Sequence, residues 1–135
     1  MNLVEYNVVK KDWRGIPIKF ALCYPNMYRV GMSCLAIHLL YELLNSRKDV
    51  LCERFFLDQN MPLTSIESKR YLNSFNIIGF SLQYELDYVN FIKVLLESGI
   101  PPLSKDRGES DPIICLGGPA ITSNPGPLAN FADVI

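Results

Sequence analysis

The sequence predicts a doubly wound α/β domain on a mostly parallel sheet, and three observations carry that expectation. Short, largely apolar runs recur along the chain: IKFALCY at 18–24, VLCERFFL at 50–57, NIIGFSL at 76–82 and PIICL at 112–116. Segments at 31–45 and 85–98 separate them, with apolar residues too dense or too widely phased for simple alternation and suited to helices. The runs themselves do not alternate in the period of two that a half-solvated sheet shows, which is the signature of strands buried on both faces.

The first strand, Ile18 to Tyr24, is bounded by Pro17 and Pro25. From Gly31 to Asn45 the apolar positions Leu35, Ile37, Leu39, Tyr41, Leu43 and Leu44 predict a helix buried along much of its surface, ending near Asn45-Ser46-Arg47. Val50 to Leu57 reads as a second strand and Asn76 to Leu82 as a third. Glu85 to Ser98 reads as a helix whose inner face is Leu86, Val89, Ile92, Val94 and Leu95, with Ser98-Gly99 at its end. A polar loop, Pro101 to Asp111, leads to a fourth strand at Pro112 to Leu116, which runs into Gly117-Gly118-Pro119. Pro127 to Ala132 offers one or two helical turns, and Asp133-Val134-Ile135 reads as the start of a fifth strand, so the chain is expected to be a fragment of a longer protein. Right-handed crossovers then give a flavodoxin-like (Rossmann-like) five-stranded sheet in the order 2-1-3-4-5. Residues 1–135 are read as one domain, with 1–17 as an N-terminal extension carrying an extra strand at Val4 to Val9.

The totals fit that picture. At 135 residues, 49% of them hydrophobic and 20% charged, the chain can bury a core. Its formal net charge of −1 gives no electrostatic footprint for nucleic acid, and no run approaches the roughly 20 apolar residues that span a bilayer. Without a basic-then-apolar leader at Met1-Asn2-Leu3-Val4-Glu5, the cytoplasm is the expected location. Cys23, Cys34, Cys52 and Cys115 form no C-x-x-C pair and sit in or beside apolar segments, as reduced core residues do. The alternative is that Cys34, beside the first loop, is a reactive thiol. Trp13 and the pair Phe55-Phe56 read as packing residues, and His38 as a satisfied or partly exposed helix histidine.

Ligands of such a sheet bind at the carboxyl ends of its strands, near the switch point between strands 1 and 3. Three segments meet there: Pro25 to Ser33, Ser81 to Glu85, and Gly117 to Ala120. Their glycines allow close backbone approach, and the bland alternative is that Gly31, Gly117 and Gly118 only make tight turns. No carboxylate pair, phosphate loop or nucleophile elbow stands out, so neither a catalytic set nor a metal-ligating set is visible.

The motifs go further. YPNMYRVGMS at 24–33, GFSLQYE at 79–85 and GGP at 117–119, within a similarity over about residues 13–135, resemble the N-terminal cobalamin-binding-like domain of a group of radical S-adenosylmethionine (SAM) iron–sulfur proteins of largely unassigned function. The cobalamin-binding pattern D-x-H-x-x-G falls on Asn26 to Gly31. Gly31 matches, while Asn26 stands in the place of the aspartate and Tyr28 in that of the cobalt-ligating histidine. Ser81 matches the serine of S-x-L, with Gln83 in place of the leucine, and Gly117-Gly118 match the glycine pair. The resemblance implies a cofactor site of Asn26, Tyr28, Gly31, Met32, Ser33, Ser81, Leu82, Gln83, Gly117, Gly118 and Pro119. A phenol of pKa near 10 is a poor ligand for a transition metal at neutral pH, so histidine coordination from below is lost. The cluster motif C-x-x-x-C-x-x-C does not occur among these cysteines, so the iron–sulfur cluster and SAM belong to a following domain, the implied partner. The expectation is an accessory domain that binds cobalamin without a histidine ligand. The alternative is a structural or substrate-docking module that has lost the cofactor, with Asn26 and Tyr28 closing the loop by hydrogen bonds. A receiver-like or flavin-binding domain is a further alternative that the missing acidic cluster and phosphate loop disfavour.

Overall fold

The structure, a computed structural model, describes residues 3–135. Four strands form one parallel sheet: β1 (Ile18–Tyr24), β2 (Val50–Phe56), β3 (Ile77–Ser81) and β4 (Ile113–Gly117), in the order β2-β1-β3-β4. Their places and the 2-1-3-4 order agree with the sequence reading. The register sets Leu22 beside Gly79 and Gly79 beside Cys115, so these residues share one face of the sheet.

The fifth strand is not seen. Val134 makes a single parallel bridge to Cys115 at the free edge of β4, with Leu116 N–H donating to Val134 O at 2.9 Å and Val134 N–H to Ile114 O at 3.1 Å. Three residues supply too few ladder bonds for more. The extra strand expected at Val4 to Val9 is also absent. Val9 N–H bonds the Tyr41 hydroxyl at 2.9 Å instead, and Lys11 Nζ donates to Asn45 O, Arg47 O and Val50 O. The segment is thus held by the C-terminal turn of a helix, whose carbonyls attract a cation.

The helix expected over Gly31 to Asn45 is two pieces, α1 (Tyr28–Gly31) and α2 (Leu35–Asn45). The break follows from Gly31, which lies flat against Phe56: a Cβ there would come within 2.4 Å of its ring. The chain turns through Met32 and Ser33, and Cys34 is extended at φ −89°, ψ 117° before α2 begins. Helix α2 is less buried than expected. Ile37 and Tyr41 pack on Leu22, Tyr24, Cys52 and Phe56, while Leu35, Leu39, Leu40 and Leu43 stay exposed.

On the opposite face lies α3 (Asp87–Glu97), followed after β4 by a short α4 (Pro119–Ser123) and a 3-10 turn at Gly126–Leu128. Helix α3 begins at Asp87 rather than Glu85, and its inner face is the i, i+4, i+7, i+8 set Asp87, Phe91, Val94 and Leu95, with Ile92 half-buried. Leu86 and Val89 are exposed, against the expected inner face, since Val89 lies on the side of the helix away from Phe91. Phe91 meets Phe80 edge-on at 4.7 Å, and Phe75 is sandwiched edge-on between Phe55 and Trp13 at 5.2 and 5.1 Å. The expected packing roles of Trp13, Phe55 and Phe56 are what the structure shows. Truncating the fully buried Phe55 to alanine is expected to lower stability by about 3–5 kcal/mol, read as a lower urea midpoint at unchanged slope.

Candidate functional site

The second and third loops lock together at the carboxyl edge. Leu82 N–H donates to Gly117 O at 2.9 Å, Ala120 N–H to Leu82 O at 3.2 Å, and Gln83 Nε2 to Ser81 Oγ at 3.1 Å. Gly118 makes this contact at φ +105°, and a Cβ there would lie 2.4 Å from Leu82 O. Here the tight-turn reading of a glycine holds. Gly117 differs: its Cβ direction meets nothing within 4 Å.

That open direction leads into a cleft of about 900 Å³. Its polar rim is Ser33, Ser81, Gln83 and the Gly117-Gly118 backbone with Pro119, and its walls include Tyr24, Tyr84, Leu35 and Leu40. Below the rim, the floor is Phe20, Leu22, Gly79 and Cys115. Six of the eleven residues expected at the site therefore line one cleft.

The other five do not. Leu82 is fully buried as a core residue and Gly31 is pressed on Phe56. Asn26 belongs to the loop lock: its Nδ2 donates to Asp87 Oδ1 at 3.0 Å and its Oδ1 accepts Met27 N–H at 2.8 Å. Tyr28 and Met32 face a separate depression of about 870 Å³ together with Glu5, His38, Tyr41 and Arg54. The Tyr28 ring packs edge-on to Phe56 at 5.1 Å, and its hydroxyl donates to Glu5. Burial and the Glu5 bond push the phenol up to about 12. His38 is exposed and its Nε2 lies 2.7 Å from Met32 O, the satisfied helix histidine that the sequence suggests.

Glu5 belongs to a network that sequence reasoning missed. Arg54, 4% exposed, grips Glu5 Oε1 and Oε2 with both terminal nitrogens at 3.0 and 2.7 Å. Its Nε bonds Glu67 at 2.8 Å, and its guanidinium stacks on Tyr41 at 4.4 Å. Burial opposes ionisation of Glu5, but the bonds from Arg54 and Tyr28 outweigh it and hold the carboxyl below its ordinary range. Burial wins at Glu67, whose carboxyl is pushed up despite Arg54. The signal in the sequence is the pair Glu53-Arg54 inside an apolar strand, which demands buried partners. Asp87 was missed too. It is 1% exposed, and its Oδ2 has no hydrogen-bond donor among the described residues.

All four cysteines are free. Cys23 and Cys52 are buried, whereas Cys34 and Cys115 are half-buried and both line the cleft. Burial pushes the Cys115 thiol up. No three His, Cys, Asp or Glu side chains gather into a metal-binding group among the described residues, and none of their helices is long and apolar enough to cross a membrane.

A family model described as "Radical SAM proteins, N-terminal" matches residues 36–135. The chain belongs to that family. It is also 34% identical over 116 residues to Uncharacterized protein MJ0966 of Methanocaldococcus jannaschii. That similarity takes in 84% of this chain but only 22% of the relative, so the chain spans about a fifth of the length of the protein it matches. No solved structure matches it.

Two outcomes follow from the site geometry. Gly118→Ala is expected to cost about 1–3 kcal/mol, whereas Gly117→Ala stays within about 1 kcal/mol, as read by paired urea titrations. Glu5→Gln is expected to lower stability by about 1–3 kcal/mol. Because the folded Glu5 carboxyl titrates below its ordinary 4.5, its contribution is present above that pH and is lost as pH falls through the folded value. The gap between native and variant unfolding midpoints therefore closes in acid.

Proposed function

We propose that this chain is the N-terminal accessory module of a longer radical SAM protein and that it binds a corrinoid, cobalamin in kind, at the carboxyl edge of its sheet without a protein ligand to cobalt. The observation that carries the reading is the open cleft beside Gly117, at the switch point between β1 and β3 where α/β sheets take ligands. Its rim offers hydroxyl, amide and backbone groups for a polar ligand edge. The missing imidazole is consistent with this form of binding, since the Tyr28 hydroxyl is committed to Glu5. When bound, a corrinoid would supply a cobalt centre. Ser81, Gln83 and the Gly117-Gly118 backbone would orient it.

The hydrogen bonds that close Asn26 and Tyr28 favour a second reading, a docking module without cofactor. One titration separates the two. Purified protein incubated with hydroxocobalamin and desalted is expected to retain the corrin absorbance. Tyr28→Phe should leave that retention unchanged, while Gly117→Leu, which fills the open direction of the cleft, should reduce it at least about tenfold. Loss of all absorbance on desalting the native protein would support the docking module.

A further inference from the structure

A second feature of the cleft concerns its lower half, on the face of the sheet. The α2 side is only half covered. Helix α2 lies over β2 and β1, but Phe20, Gly79 and Cys115 carry no helix above them, and Ile113 at the far edge is 48% exposed. The facing side of α2 is bare as well. Leu40 and Leu44 look into the groove and Leu35, at its mouth, is 69% exposed, while Leu39 and Leu43 lie on the outward side of the helix. The polar residues of the helix, His38, Glu42 and Asn45, lie instead toward the N-terminal segment. A helix wall and a sheet floor thus present apolar surface to the same empty space, the place of one more helix in a layered α/β fold.

We infer that this groove is the seat of an amphipathic helix from the chain that follows this module in its parent protein, packed alongside α2. Three observations identify the occupant. Val134 already bonds in parallel register to the free edge of β4, so the chain reaches the sheet on the side next to the groove. Handedness does the rest. The step from β1 to β2 runs toward one edge with its helix on the α2 face, and the step from β3 to β4 runs the other way with α3 on the opposite face. A right-handed crossover heading from the β4 edge back toward β2 lies on the α2 face, on the side of Ile113 and Cys115. Finally, the matched relative is far longer than this chain, which gives the helix a source within the same polypeptide. The inference rests on family membership and not on corrinoid binding: the helix takes the apolar floor, and the ligand takes the polar rim at Ser81, Gln83 and Gly117.

Cys115 reports the outcome, because its thiol lines the groove while Cys23 and Cys52 are buried and silent in either case. The parent protein and the 135-residue chain are labelled with N-ethylmaleimide without any corrinoid, and modification at each cysteine is followed by peptide mass spectrometry. The expected result is labelling of Cys115 in the parent more than about tenfold slower than in the 135-residue chain, with Leu40→Asp in the parent restoring the fast rate. Equal rates in the two proteins would overturn the inference. So would protection of Cys115 in the 135-residue chain that grows with its concentration, since a second copy would then be the occupant. Neither result bears on hydroxocobalamin retention, so the two readings fail separately.

Discussion

A parallel sheet cannot leave either face to water, because its strands are apolar on both sides and its crossovers must lie somewhere. Everything else in this protein answers to that constraint. On one face the answer is complete: Phe91, Val94 and Leu95 of α3, with Leu72, Phe75 and Leu128 from the connecting segments, cover β1, β3 and β4. On the other face α2 covers β1 and β2 alone. The uncovered remainder is the cleft, and its two ends differ in chemistry. At the carboxyl edge it is rimmed by Ser81, Gln83 and backbone; along the sheet it is Phe20, Gly79 and Cys115.

The two outer corners of the sheet are secured by buried charge. Arg54 ties the N-terminal segment to β2 through Glu5 and to the following loop through Glu67, and it closes over Tyr41 of α2. At the other edge Arg107 donates to Pro101 O, Pro102 O and Phe131 O and pairs with Asp133 at 3.2 Å. Ile114 N–H also bonds Asp133 Oδ2 at 2.8 Å. Such groups are costly to desolvate, so their value lies in fixing where irregular segments attach rather than in net stability. The Arg54 network also settles the place of Tyr28, whose hydroxyl cannot serve a ligand while it serves Glu5.

The first and fourth strands were legible because prolines flank them, Pro17 and Pro25 the first and Pro112 the start of the fourth, and the second and third because their runs are apolar. The strand order followed from taking right-handed crossovers in the flavodoxin-like, doubly wound arrangement. The break between α1 and α2 was not legible, because its cause is contact of Gly31 with Phe56, a residue far along the chain on another strand. The inner face of α3 was misplaced at Leu86 and Val89 because these are out of phase with Val94 and Leu95, whose helical partners one and two turns earlier are Phe91 and Asp87. Residues 81–83 and 117–119 lie at the carboxyl ends of β3 and β4 as expected, and Ser81, Gln83, Gly117, Gly118 and Pro119 do meet. The roles of Asn26 and Tyr28 depended on Asp87 and Glu5, 61 and 23 residues away, and no local pattern announces such partners.

A crystal structure of the parent protein tests most directly whether the α2 face of this sheet is half open for a purpose. A helix from the following chain is expected over Cys115 and Phe20 beside α2, with the rim at Ser81 and Gly117 still open to a ligand. A groove that is collapsed, or left open to solvent along its whole length in that protein, would contradict that expectation.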